Sequence, residues 1–113
     1  MKERLPLVTI MGPTGVGKTD LAISLFKTVS LEIINVDSVQ VYRGMDIGTG
    51  KPSKEILDKY PHNLLSFIDP WKSYSTALFI NDATREIDLC DKSKKVPLLV
   101  GGTMLYFRSL LSG

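Results

Sequence analysis

Gly12-Pro13-Thr14-Gly15-Val16-Gly17-Lys18-Thr19 is the stretch on which the fold turns. It fills every fixed position of the pattern G-x-x-x-x-G-K-[ST]. Upstream, Leu5 to Met11 is a short apolar run with β-branched residues, which predicts a buried strand closed by the turn at Gly12-Pro13. Downstream, Lys18 to Val29 carries Leu21, Ala22, Leu25 and Phe26 at helical spacing. A glycine-rich link between a strand and a helix is an anion cradle. Glycines let successive amides point inward, and the helix start adds free N–H groups and its positive dipole end. Lys18 brings a full charge to phosphate oxygens, and the Thr19 hydroxyl is a candidate Mg²⁺ ligand. Residues Gly12 to Thr19 therefore predict a polyphosphate site. ATP, GTP and an isoprenoid diphosphate present the same oxygens to such a loop, and the motif does not choose among them.

Working outward, Glu32 to Val36 reads as a second strand ending at Asp37-Ser38. Arg43 to Lys54 is rich in glycine and reads as loop. Lys54 to Lys59 predicts one or two helical turns before Pro61, and Leu64 to Ile68 a third strand closed by Asp69-Pro70. Ser75 can cap a helix running to about Asp91. Val96 to Val100 is a fourth apolar strand, broken by Gly101-Gly102. Thr103 then caps a last helix with Met104, Phe107 and Leu111 on one face. Strands and helices alternate, and the strands are apolar throughout. That pattern predicts an α/β fold, a P-loop NTPase-like parallel sheet with flanking helices on both faces, forming a single domain over residues 1–113. Ligands of such sheets sit at the carboxyl ends of the strands. Gly12–Thr19, Asp37–Gln40 and Gly101–Thr103 are thereby expected on one rim.

Composition narrows the classes. Hydrophobic residues make up 43% and charged residues 23% of 113 residues, which is the profile of a globular chain. The net charge of +2 is too small to argue for nucleic acid by itself. The basic run Lys92-Ser93-Lys94-Lys95 reads as a solvated loop before a strand. The single cysteine, Cys90, continues the apolar set Phe79, Ala83 and Ile87, so a buried, inert thiol and a reducing, cytoplasmic setting are expected. No apolar run approaches the ~20 residues of a membrane span, and the first residues carry no secretory h-region.

Asp37 stands where a carboxylate could take a proton from a nucleophile or hold a metal-bound water; an Asx-type turn would use the same residue. The surrounding motifs go further. Gly12-Pro13-Thr14 with Gly17-Lys18-Thr19, Asp37-Ser38-x-Gln40-x-Tyr42, Gly44-Met45-Asp46-Ile47-Gly48-Thr49 with Lys51-Pro52, and Pro97-Leu98-Leu99-Val100-Gly101-Gly102-Thr103-Met104-Leu105-Tyr106 together resemble the tRNA dimethylallyltransferase family. Pro61-His62, Asp69-Pro70 and Tyr74-Ser75 extend the likeness through essentially the whole chain. The resemblance implies transfer of a dimethylallyl group from its diphosphate to N6 of the adenine next to the anticodon, with diphosphate released. It implies that Asp37 is the general base and that Lys18 and Thr19 belong to the catalytic set. Gly12, Pro13, Thr14, Gly15, Val16, Gly17, Lys18 and Thr19 would hold the diphosphate, with Mg²⁺ as cofactor at Thr19. Asp37, Ser38, Val39, Gln40 and Thr103 would meet the tRNA anticodon stem-loop. A monomer that does not touch membranes is expected.

Family enzymes are much longer than 113 residues, and their later parts grip the tRNA and complete the diphosphate site. The resemblance therefore predicts a partial chain with reduced or no transferase activity, and a sheet with an apolar edge or face left uncovered. Two other classes share the P-loop. One is a small-molecule kinase or other NTPase, against which stands Gly101 where an acidic residue would follow Leu98-Leu99-Val100. The other is a non-catalytic phosphate- or RNA-binding remnant. Among single residues, His62 reads as structural. Arg43 and Lys51 read as loop charges that could meet diphosphate or RNA. Trp71 and Tyr74 read as core packing ahead of the helix, with base stacking as the other use.

Overall fold

The computed structural model describes residues 6–12, 17–44 and 48–112. Its elements run β1 (Val8–Met11), α1 (Lys18–Thr28), β2 (Leu31–Val36), α2 (Lys54–Lys59), β3 (His62–Asn63), α3 (Thr76–Lys92), β4 (Val96–Gly101) and α4 (Met104–Ser112). The four strands form one sheet in the order β1-β4-β2-β3, and every pairing is parallel. β4 inserts between β1 and β2, so Gly101 lies level with Met11 on one side and Val36 on the other. That register brings the ends of β1, β2 and β4 to one rim.

The apolar strands feed two cores. Ile34, Val36 and Leu99 face α3 and α4, packing with Phe79, Ala83, Cys90, Tyr106 and Phe107. Leu31, Ile33, Leu98 and Val100 face α1, packing with Ala22 and the half-buried Leu25 and Phe26. Alternation along each strand thus sends apolar groups both ways, which is why the strands read as continuous apolar runs.

Local chemistry sets the helix ends. The Ser75 hydroxyl accepts the Leu78 amide at 3.1 Å, capping α3 as its sequence predicts. Ser53 does the same for Ile56 at 3.3 Å in α2. α1 has no side-chain cap. Gly17 at its N-terminus has φ 78°, a left-handed conformation that glycine adopts without penalty. Asp20 in its first turn and Lys27 in its last complement the dipole.

Four expectations need correction. The third strand is His62–Asn63, not Leu64–Ile68. Leu64 and Ser66 have φ of 63° and 53°, which no extended strand tolerates. This segment instead laces onto the turn after β2, through Ser66 N–H to Gln40 O and Phe67 N–H to Val41 O, each 2.9 Å. Only Tyr42 and Ile68 form an isolated bridge. In α4 the buried face is Tyr106 and Phe107, while Met104 and Leu111 are exposed, because α4 lies on α3 through Tyr106, whose ring stacks on Phe79 at 4.4 Å. Leu21 of α1 is likewise exposed. Trp71 is 79% exposed and not part of the core; Tyr74 does pack, edge-on to Phe67, with its hydroxyl on Asp82 at 2.7 Å.

Cys90 is buried, and desolvation pushes its thiol up to about 11. β1 lies at an edge of the sheet, and Leu7, Val8 and Met11 are exposed there. No helix among the described residues is long and apolar enough to cross a membrane.

Candidate active site

At the rim a cleft of about 320 Å³ opens between the start of α1 and the ends of β2 and β4, with the start of β3 beside it. Gly17, Lys18, Thr19 and Asp20 line one side, Asn35, Asp37 and Gln40 the other, with His62, Val100 and Gly101 between. The Lys18 ammonium donates to the Gly12 carbonyl, folding the lysine back over the start of the cradle. Pro13, Thr14, Gly15 and Val16, predicted to hold the diphosphate, lie outside the described residues, as do Met45, Asp46 and Ile47.

Asp37 leaves β2 at the cleft. Its Oδ1 accepts the amides of Val39 at 2.8 Å and Gln40 at 3.0 Å. The Asx-type turn and a place at the cleft therefore coexist in one residue, and the turn fixes the direction of the carboxylate. Gln40 is buried, and its Nε2 donates to the Thr49 carbonyl at 2.7 Å, tying down the loop that follows. Val39 is exposed. Thr103 stands at the head of α4, where its carbonyl accepts the amides of Tyr106 at 3.0 Å and Phe107 at 3.4 Å. Its hydroxyl accepts the Ser38 amide at 2.9 Å and donates to the Ser38 hydroxyl at 3.3 Å. Residues 65 apart in sequence thus meet where β2 and β4 end, because the two strands run parallel in register.

Glycine at 101 is a steric requirement. A Cβ there would lie 1.9 Å from the Val36 carbonyl oxygen, closer than any non-bonded contact, so no acidic residue can stand at this strand end. At Gly102 a Cβ would come to 3.0 Å from the Gly12 carbonyl, so the cradle and the end of β4 are packed together.

Two further residues line the cleft: Asn35, which the sequence did not single out, and His62, which it marked as structural. Asn35 is 4% exposed, and its Nδ2 has no hydrogen-bond partner among the described residues. An unpaired buried amide of this kind costs about 1–3 kcal/mol. Its signal in the sequence was an amide flanked by Ile33, Ile34 and Val36 near the end of an apolar strand. His62 borders the cleft with Nδ1 2.7 Å from the Tyr60 carbonyl. A carbonyl can only accept, so Nδ1 carries the proton. Burial lowers the imidazole pKa below its usual value, which leaves Nε2 as an acceptor in the neutral ring. Tyr106, behind Asp37, has its phenol raised by burial first and then by the charges of Tyr42 and Asp37.

The loop cations are engaged elsewhere. Lys51 Nζ donates to the Tyr42 carbonyl at 2.5 Å and the Ser66 hydroxyl at 2.8 Å, and Arg43 pairs with Asp69 at 2.9 Å. The basic run 92–95 lies at the opposite end of the sheet, where Lys95 meets Glu32 at 3.2 Å.

Comparison with known proteins decides the family. The profile described as Isopentenyl transferase matches residues 5–65, and the profile described as IPP transferase matches residues 40–113. The chain belongs to the tRNA dimethylallyltransferase (isopentenyltransferase) family. Among solved members, the Bacillus halodurans tRNA isopentenylpyrophosphate transferase is 47% identical with a TM-score of 0.86. The Staphylococcus epidermidis tRNA delta(2)-isopentenylpyrophosphate transferase is 43% identical with a TM-score of 0.87. A eukaryotic dimethylallyltransferase acting on tRNA is 34% identical with a TM-score of 0.86. Each comparison covers 92% of this chain, but only 34%, 34% and 26% of those chains, respectively. The chain thus spans about a third of the length of these dimethylallyltransferases.

Proposed function

We propose that this chain supplies the donor-binding and base-bearing part of a tRNA dimethylallyltransferase. The reaction moves a dimethylallyl group from dimethylallyl diphosphate to N6 of the adenine 3′-adjacent to the anticodon. The observation that carries the reading is that Asp37 and the Lys18–Thr19 helix start border one cleft, in a chain of this family.

The chemistry uses both sides of that cleft. An exocyclic aromatic amine is a weak nucleophile. As its nitrogen bonds to the allylic carbon, an N6 proton passes to the Asp37 carboxylate, which its turn holds in place. The carbon–oxygen bond to the diphosphate breaks, and negative charge collects on the leaving group. Lys18 and the amides at the start of α1 oppose that charge where it accumulates. Ser38, Val39, Gln40 and Thr103 form the tRNA-facing side, with the Ser38–Thr103 contact setting the spacing of β2 and β4 there. The target base must leave its stack to reach the cleft, at a cost of a few kcal/mol. The described residues hold no group of three or more His, Cys, Asp or Glu side chains able to bind a metal. One hydroxyl, Thr19, beside a diphosphate fits a Mg²⁺ ion that arrives with its substrate. Bound there, Mg²⁺ supplies charge neutralisation to the leaving group. A monomer in the cytoplasm completes the reading.

A kinase is disfavoured by Gly101, since no carboxylate fits at the end of β4. Calorimetric titration of dimethylallyl diphosphate and of ATP, each with Mg²⁺, tests the choice. Heat from the isoprenoid with none from ATP is expected; tight ATP binding with no response to the isoprenoid would overturn the transferase.

A further inference from the structure

We propose that Asn35 is a diphosphate-binding residue, donating from its side-chain amide to a phosphate oxygen held against Lys18 and Thr19. The inference rests on the reading of the cleft as a diphosphate site.

Strand alternation fixes where Asn35 belongs. Ile34 and Val36 pack toward α3 and α4, and Leu31 and Ile33 toward α1. Asn35 shares the parity of Leu31 and Ile33 and lies level with Val100 at the C-terminal end of the sheet. Both predecessors on that face are aliphatic, so the fold accepts an apolar side chain there. Asparagine instead places an amide in that layer. It is 4% exposed, and its Nδ2 has no partner among the described residues.

Asn35 also borders the cleft that Lys18 and Thr19 line. An amide NH₂ can only donate, so its complement is an acceptor. The opposite wall selects an anion, through the lysine charge and the positive dipole end of α1. A phosphate oxygen satisfies both walls at once. The last torsion of asparagine is broad, so the amide can turn toward the cleft with little strain. An adenine ring nitrogen is the other acceptor in this reaction, and a probe made only of phosphate separates the two.

The test titrates pyrophosphate with Mg²⁺, and separately dimethylallyl diphosphate with Mg²⁺, into the wild type, Asn35→Leu and Asn35→Asp. Urea denaturation of each protein runs alongside. Asn35→Leu is expected to weaken pyrophosphate about 10-fold, or about 1.4 kcal/mol, with a urea midpoint equal to or above the wild type, because no hydrogen bond of the fold is lost. Asn35→Asp is expected to bind more weakly still, since a carboxylate replaces the donor facing the anion. If Asn35→Leu binds pyrophosphate like the wild type, the inference fails while the transferase reading stands. A clearly lowered urea midpoint for Asn35→Leu would equally overturn it, by showing that the amide serves the fold. A wild type that prefers ATP to the isoprenoid, with Asn35→Leu still weakening pyrophosphate, removes the transferase and keeps the role of Asn35. No pyrophosphate binding by the wild type removes both.

Discussion

On the side of the sheet covered by α3 and α4, nine of the described residues form the buried cluster, with Phe79 stacked on Tyr106 and Cys90 buried in the same cluster. On the side covered by α1 the cluster has five of the described residues, α1 contributes Ala22 to it, and the next inward-facing position of β2 holds an amide whose Nδ2 has no partner among the described residues. The first side is built as an apolar core of aliphatic and aromatic side chains. The second gives up packing toward one end, and that end opens as the cleft. Stability and binding are thus divided between two faces of one sheet, and substitutions on each should move different observables.

The largest effect is expected at the seam between the faces. Gly101→Ala drives a Cβ to 1.9 Å from the Val36 carbonyl, so β2 and β4 must separate. A loss above about 4 kcal/mol, seen as little or no folded protein by circular dichroism, is the expected result. A cooperative melt at the wild-type temperature would break the account of the rim. Next, Phe79→Ala should cost about 3–5 kcal/mol in urea denaturation. On the other face Leu25→Ala should cost only about 1–2 kcal/mol, since the side chain is half-buried. Equal losses would erase the contrast between the faces. Lys18→Ala should reverse the pattern: pyrophosphate affinity falls about 10- to 100-fold while stability drops by no more than about 1 kcal/mol.

A pH series sharpens the comparison from the buried side. Burial raises the Cys90 pKa from 9.0 to about 11, so the folded state holds the proton more tightly than the unfolded one. Its contribution is fully present below about pH 9 and is lost as pH rises toward 11. Cys90→Ala should flatten the stability profile in that window, measured against the wild type by urea midpoint. The smallest effect belongs to the basic run: Lys95→Ala removes a partly exposed pair with Glu32 and should change stability by about 0–1 kcal/mol. A large loss of pyrophosphate or tRNA binding in that variant would mean that the far end of the sheet takes part in recognition.

Much of the fold was legible because its signals are local. The apolar runs at β1, β2 and β4, the Ser75 cap and the glycine at the head of α1 each act over a few residues. The failures were non-local. Leu64 to Ile68 is apolar enough to read as a strand, yet its backbone amides are taken by Gln40 and Val41, and no pattern within the segment announces that. Trp71 is large and apolar, but nothing in the described structure covers it, and of the expected face of α4 Phe107 is buried while Met104 and Leu111 gave way to Tyr106 once α3 fixed the rotation of the helix. Among site residues, Thr103 was singled out by motif, whereas its bond to Ser38 depends on parallel strands in register.

By itself the sequence determined that this chain folds as a parallel α/β layer around a P-loop, and its motifs carried the family, because strand, turn and cap preferences act locally. Only the tertiary structure decided what shares the cleft with that loop. Strand register brings Asp37 and Gly101 to the rim, denies any side chain at 101, and buries the Asn35 Nδ2 with no partner among the described residues. Those are consequences of distances between segments dozens of residues apart, which no stretch of sequence contains.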